Sequence, residues 1–179
     1  MNRKNLSAMA ILALTLAAVA ALAAVPGQQK IQTSIIQSAV IKAPPERIWK
    51  FIGQESMSAD ATGKITSKIW PFLSYTKVSG QGIGATSDFS IVWAGQTYTG
   101  TTLTLNEVPN SVTQTMFSGE AQFIATLTLL PVKDGTLVSY SWDVNLSPKN
   151  RMTEAEYLKE VERVAGEAFK VIRGNCEGK

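Results

Sequence analysis

Apolar and polar positions alternate over residues 28–41, with Ile31, Ile35, Ala39 and Ile41 in one phase, which is the period of a strand. The period changes just after Ala43. Pro44 and Pro45 suit the first turn of a helix, because the opening N–H groups there have no intrahelical partner. Glu46 adds negative charge at the positive end of the helix dipole. Ile48, Phe51 and Ile52 then recur at helical spacing up to Gly53, with Trp49 at the edge of the stripe. Residues 54–68 are small and polar, with one helical turn expected near 57–61 and a break at Gly63. Beyond them lie alternating runs at 70–78, 85–93, 96–107, 111–117, 120–130 and 136–146, each closed by Gly, Pro, Asn or Asp. In the last run Val138, Tyr140, Trp142 and Val144 oppose Ser139, Ser141, Asp143 and Asn145, the pattern of a sheet with one wet face.

The chain closes on a second helical pattern. Thr153 and Glu156 have capping-box spacing. Tyr157, Leu158, Val161, Val164, Ala165, Ala168, Phe169 and Ile172 form an apolar stripe opposite Glu154, Lys159, Glu160, Glu162, Arg163, Glu167 and Lys170. Gly174 is the expected C-terminal stop. A sheet with one apolar face and a helix with one apolar stripe bury each other economically. The order predicts an α+β fold: a curved antiparallel sheet of about seven strands around a long C-terminal helix.

The N-terminal residues are of another kind. Arg3 and Lys4 precede residues 6–25, which hold no charge and only Ser7 and Thr15 as polar members. Residues 1–25 therefore read as a signal peptide, with Ala21-Leu22-Ala23 as a cleavage site, or as a hydrophobic helix anchoring the chain in a membrane. Both readings deliver residues 29–179 outside the cytoplasm. A lone Cys176 can form no internal disulfide, which fits a bacterial cell envelope better than a eukaryotic secretory route.

Charge and chemistry narrow the function mainly by exclusion. The chain has 17 basic and 14 acidic residues, and without Arg3 and Lys4 the basic count falls to 15. The basic residues stand singly among acids, so no nucleic-acid face is expected. With 0 histidines, zinc sites and histidine-dependent triads are ruled out, and no metal or cofactor is expected. The Gly80–Gly84 stretch lacks the lysine and hydroxyl of a phosphate loop and reads as a hairpin turn. Acid–base candidates are Asp88, Glu120 and Asp143, with Arg47 and Lys50 on the first helix. Asp88 and Asp143 share the polar phase of their strands, and Glu120 follows a turn glycine. No carboxylate pair stands out.

The motif Ala43-Pro44-Pro45-Glu46-x-Ile48-Trp49 after a strand resembles the START-like superfamily of polyketide cyclase/dehydrase-like and lipid-transfer domains. Gly82-x-Gly84 ahead of a strand, and Pro131 followed by Gly135-Thr136 and the 137–144 run, add to the resemblance, which spans roughly residues 29–173. It implies a helix-grip fold with an apolar cavity between sheet and C-terminal helix. On that arrangement the expected ligand-binding residues are Phe89, Ile91, Trp93, Leu103, Phe123, Leu127, Tyr140, Trp142, Tyr157 and Val161. Tyr140, Tyr157 and the Thr97, Thr99 and Thr101 run are the expected sources of hydroxyls, while Trp49 and Trp70 are expected to pack the first helix and the loop after it. The expected partner is a hydrophobic small molecule or lipid, with the membrane as a second partner if the N-terminal span is kept. The alternatives are a cyclase- or dehydrase-type enzyme acting on a polyketide-like or aromatic substrate, and a solid-cored module that binds protein through its sheet.

Overall fold

The computed structural model describes residues 31–93, 96–108, 110–119, 121–146 and 152–178. The hydrophobic segment 1–25, positions 28–30 of the first strand, the Ala94-Gly95 and Pro109 turn positions, and Glu120 lie outside these residues.

Strand β1 (Ile31–Ile41) gives way to helix α1 (Pro45–Lys50), which widens into one π-helical turn (Phe51–Glu55). Pro45 occupies the first turn as expected, Ile48 and Phe51 are buried, and Trp49 packs at the edge of the core. The helical path runs past Gly53 because Ser56 closes it, its hydroxyl donating to the Ile52 carbonyl at 2.8 Å. Arg47 pins this corner from both sides. It donates to Glu55 at 2.8 Å and to the Asn175 carbonyl at 2.8 Å, near the end of the C-terminal helix.

Eight strands follow: β2 (Met57–Ala59), β3 (Ile65–Ser67), β4 (Leu73–Ser79), β5 (Thr86–Trp93), β6 (Gln96–Val108), β7 (Ser111–Ser118), β8 (Ala121–Val132) and β9 (Gly135–Leu146). All nine form one antiparallel sheet in the order β1-β9-β8-β7-β6-β5-β4-β3-β2. The two strands beyond the expected seven are β2 and β3, where the sequence suggested a helical turn. Asp60 decides the matter: its carboxylate accepts from Thr62 N–H at 2.8 Å, the Thr62 hydroxyl at 2.6 Å and Lys64 N–H at 3.1 Å, which folds residues 60–64 into a hairpin turn.

Helix α2 (Glu154–Cys176) lies across the concave face of the sheet. Its capping box is complete, with Glu156 N–H donating to the Thr153 hydroxyl at 3.3 Å and Thr153 N–H donating back to the Glu156 carboxylate at 2.8 Å. Tyr157, Val161, Val164, Ala165, Ala168, Phe169 and Ile172 are buried, while Leu158 faces out at 38 % exposure. The helix continues through Gly174. Cys176, two residues past the expected stop, is buried in the last turn, and that burial outweighs the glycine stop signal.

Gly100, opposite Phe89 on β5, allows a close approach of the neighbouring backbone. A Cβ there would sit 1.7 Å from the Phe117 carbonyl oxygen and 3.0 Å from the Phe89 ring. Gly135 does similar work at the β8–β9 turn, where φ is +139° and a Cβ would meet the Ile41 carbonyl at 2.1 Å.

Candidate ligand cavity

Directly opposed residues on neighbouring strands share a face, so the register identifies the concave side. It carries Tyr75 on β4, Ser87, Phe89, Ile91 and Trp93 on β5, Tyr98, Gly100, Thr102 and Thr104 on β6, Val112, Gln114 and Met116 on β7, Phe123, Ala125 and Leu127 on β8, and Tyr140, Trp142 and Val144 on β9. Between this face and α2 lies a cavity of about 430 Å³. Pockets of a few hundred Å³ suit molecules of drug-like size.

Eight of the ten residues expected at the site line the cavity: Ile91, Trp93, Phe123, Leu127, Tyr140, Trp142, Tyr157 and Val161. Two do not. Phe89 is on the concave side but is packed in a separate cluster with Leu73 and Met116. Leu103 points to the convex side, because the inward phase of β6 is Tyr98, Gly100, Thr102 and Thr104. The same shift puts Thr97, Thr99 and Thr101 in solvent rather than at the cavity. β6 is rich in threonine, and its two leucines, Leu103 and Leu105, share the outward phase while Tyr98 has the inward one, so alternation alone gave the opposite phase.

Several lining residues were not anticipated. Trp70 lines the cavity from the β3–β4 loop, with Phe72 beside it. Met57, Ile65 and Ile69 close the side near α1, Val112, Gln114 and Met116 come from β7, and Tyr98 comes from β6. Tyr98 had a legible signal, since it opposes Ile91 on a strand already read as apolar. The loop residues had none, because nothing local in Ile69-Trp70-Pro71-Phe72 says which way a loop folds.

The walls are aromatic and uncharged. Trp70 meets Tyr140 edge-to-face at 5.0 Å and Trp142 at 6.0 Å, and Tyr140 stacks on Trp142 at 5.6 Å. Phe72 meets Trp93 edge-to-face at 5.2 Å, and Trp93 leans on Tyr157 at 6.0 Å. All 4 tyrosines of the chain, Tyr75, Tyr98, Tyr140 and Tyr157, line the space. Burial pushes the Tyr75 phenol up to about 12 and raises Tyr140 and Tyr157 further. Each of these three phenols therefore stays protonated at neutral pH. Among the described residues, no Asp, Glu, Lys or Arg lines the cavity.

Several polar groups on the wall are engaged within the protein. The Ser67 hydroxyl accepts from Ile69 and Trp70 N–H at 3.1 and 3.2 Å, Ser87 pairs with Thr102 at 2.7 Å, and the Gln114 amide donates to Thr104 at 3.2 Å. Among the described residues two buried side-chain atoms have no partner: the Tyr140 hydroxyl and the Trp93 indole nitrogen.

The expected acid–base candidates are elsewhere. Asp143 is on the convex face, where it accepts from the Ser34 hydroxyl at 2.5 Å, and Asp88 faces the same side, 3.1 Å from the Lys77 ammonium. Arg47 and Lys50 pair with Glu55 at 2.8 and 3.5 Å, outside the cavity. Among the described residues no cluster of His, Cys, Asp and Glu is arranged to hold a metal, and no helix is long and apolar enough to cross a membrane.

No family model matches the chain, and no curated protein matches its sequence. Solved structures do match its fold. A Chromobacterium violaceum protein superimposes with a TM-score of 0.56 at 17% identity, covering 82% of this chain and 99% of its own. A Rhodobacter sphaeroides protein gives 0.53 at 20% identity, covering 82% and 96%. Ara h 8.0201 gives 0.54 at 15% identity, covering 80% and 97%. At these identities the likeness is one of fold, and it agrees with the helix-grip arrangement.

Proposed function

We propose that this protein binds a hydrophobic small molecule in the cavity between sheet and helix, and carries it at the bacterial cell envelope. The observation that supports binding is the uncharged, aromatic-walled space of about 430 Å³ under α2. A core built only for stability closes to crystal-like packing density, and voids of this size are destabilising unless they serve a ligand. The envelope placement rests on Arg3 and Lys4 ahead of the apolar residues 6–25.

A cyclase- or dehydrase-type reaction has less support. General acid–base chemistry needs an ionisable group within hydrogen-bond reach of the substrate. Asp88 and Asp143, the best candidates in the sequence, are on the other side of the sheet. A protein-binding convex face has one observation in its favour: Val40, Leu137 and Leu130 stand directly opposite one another on β1, β9 and β8, with Val40 and Leu130 42% and 55% exposed.

Native mass spectrometry of the full chain after mild purification tests the leading reading. A bound organic molecule, released on denaturation, is the expected result. A chain of bare protein mass that also fails to take up a neutral hydrophobic dye such as Nile red would overturn it. Fractionation of cells expressing the tagged full chain tests location, and recovery in the cytoplasmic fraction would rule out the envelope.

A further inference from the structure

We propose that the occupant of this cavity is electrically neutral and presents an oxygen acceptor, as a ring ketone or ester does, to the Tyr140 hydroxyl and the Trp93 indole N–H. This rests on the reading of the space as a ligand site and goes on to specify the ligand's chemistry.

The absence of charge on the described lining decides the first part. An ionised ligand group carried under α2 loses its water and finds no opposite charge there. A carboxylate or phosphate is therefore refused under α2. The inventory of hydrogen bonds decides the second. The Ser67, Ser87 and Gln114 side chains make hydrogen bonds within the protein, whereas the Tyr140 hydroxyl and the Trp93 indole N–H are the buried side-chain atoms left without a partner among the described residues. An indole N–H only donates, and a protonated phenol has one hydrogen to give. Two buried donors call for an acceptor.

The rings packed edge-on against these two side chains, Trp70 on the Tyr140 ring at 5.0 Å and Phe72 on the Trp93 ring at 5.2 Å, both belong to the β3–β4 loop. Solvent reaches neither polar atom. A ligand oxygen reaches them as these two rings yield, and its own ring then takes their place at the aromatic edges. A flat ring suits walls built of tilted and edge-on aromatics.

The test is calorimetric titration of the full chain with three ligands of one shape: 2-acetylnaphthalene, 2-ethylnaphthalene and 2-naphthoate. The ketone is expected to bind tightest, with the hydrocarbon weaker by roughly three- to tenfold. The carboxylate is expected to be weaker by about a hundredfold or more. In Tyr140→Phe and Trp93→Phe the preference for ketone over hydrocarbon, read as the ratio of the two affinities within each variant, should narrow. Naphthoate binding as tightly as the ketone overturns the neutrality. An unchanged ketone preference in both variants overturns the assignment of the donors. Either result leaves the cavity a ligand site, whereas failure of all three ligands, with no uptake of Nile red, overturns that reading as well.

Discussion

Two single residues expose how the cavity was built. Tyr140 has a buried hydroxyl with no partner, and a buried polar group without a hydrogen bond costs about 1–3 kcal/mol. Tyr140→Phe should therefore raise the urea midpoint of the ligand-free protein, by up to about 1–3 kcal/mol of stability. A lower midpoint would mean that the hydroxyl is satisfied after all. Gly100 works the other way. A methyl group there meets the Phe117 carbonyl oxygen at 1.7 Å, so Gly100→Ala should lose about 2–4 kcal/mol by chemical denaturation, and an unchanged midpoint would show that the two strands part freely at this point. At this scale the sequence was informative wherever the alternation was clean, as at Tyr140 and Trp142 on β9. It misled at Leu103, because Leu103 and Leu105 together put the apolar signal of a threonine-rich strand on its outward phase. Trp70 was beyond reach, because a loop side chain is aimed by the elements around it.

The elements were legible in proportion to their length. The 23-residue helix α2 and its capping box could be read from stripe and spacing alone. The 3-residue strands β2 and β3 could not, since their pairing depends on a turn centred on Asp60 rather than on any periodicity of their own. The end of α2 shows tertiary burial outweighing local preference. Gly174 signals a stop, yet Cys176 is held at 1% exposure and draws the helix past it. Gly166 and Gly174 both lie within this helix, and a Cβ added at either would meet nothing within 4 Å. Gly166→Ala and Gly174→Ala should each stabilise the protein by about 0.5–1 kcal/mol, seen as a higher melting temperature. A fall in either would mean that the helix needs the freedom of glycine there.

The whole molecule is a curved sheet closed by one helix around an uncharged space, and its pH response follows from that plan. Tyr75, Tyr140 and Tyr157 have phenols raised by burial, so between their unfolded value near 10 and their folded values the native state holds more protons than the unfolded one. Stability is then full below about pH 10 and falls as pH rises through that window. Tyrosinate absorbance should appear in one cooperative step together with loss of circular dichroism, and phenols titrating independently while the fold persists would refute this. At the acid end the carboxyls of Glu55, Asp60 and Glu156 are lowered by hydrogen bonds from Arg47, Thr62 and Thr153 respectively, so their contribution is lost as pH falls through the folded values. The outline of this plan was legible in the order of strands and helices. The cavity was legible only through the family resemblance, because patterning separates inside from outside but does not say whether the inside is full. The placement of the tryptophans has one more consequence. Trp70, Trp93 and Trp142 line the space, and Trp49 packs outside it. The protein is thus wired as its own gauge of occupancy: cargo should shift the ultraviolet emission of three indoles at once, a signal that Trp49→Phe leaves intact, so filling and emptying can be followed in real time without any label.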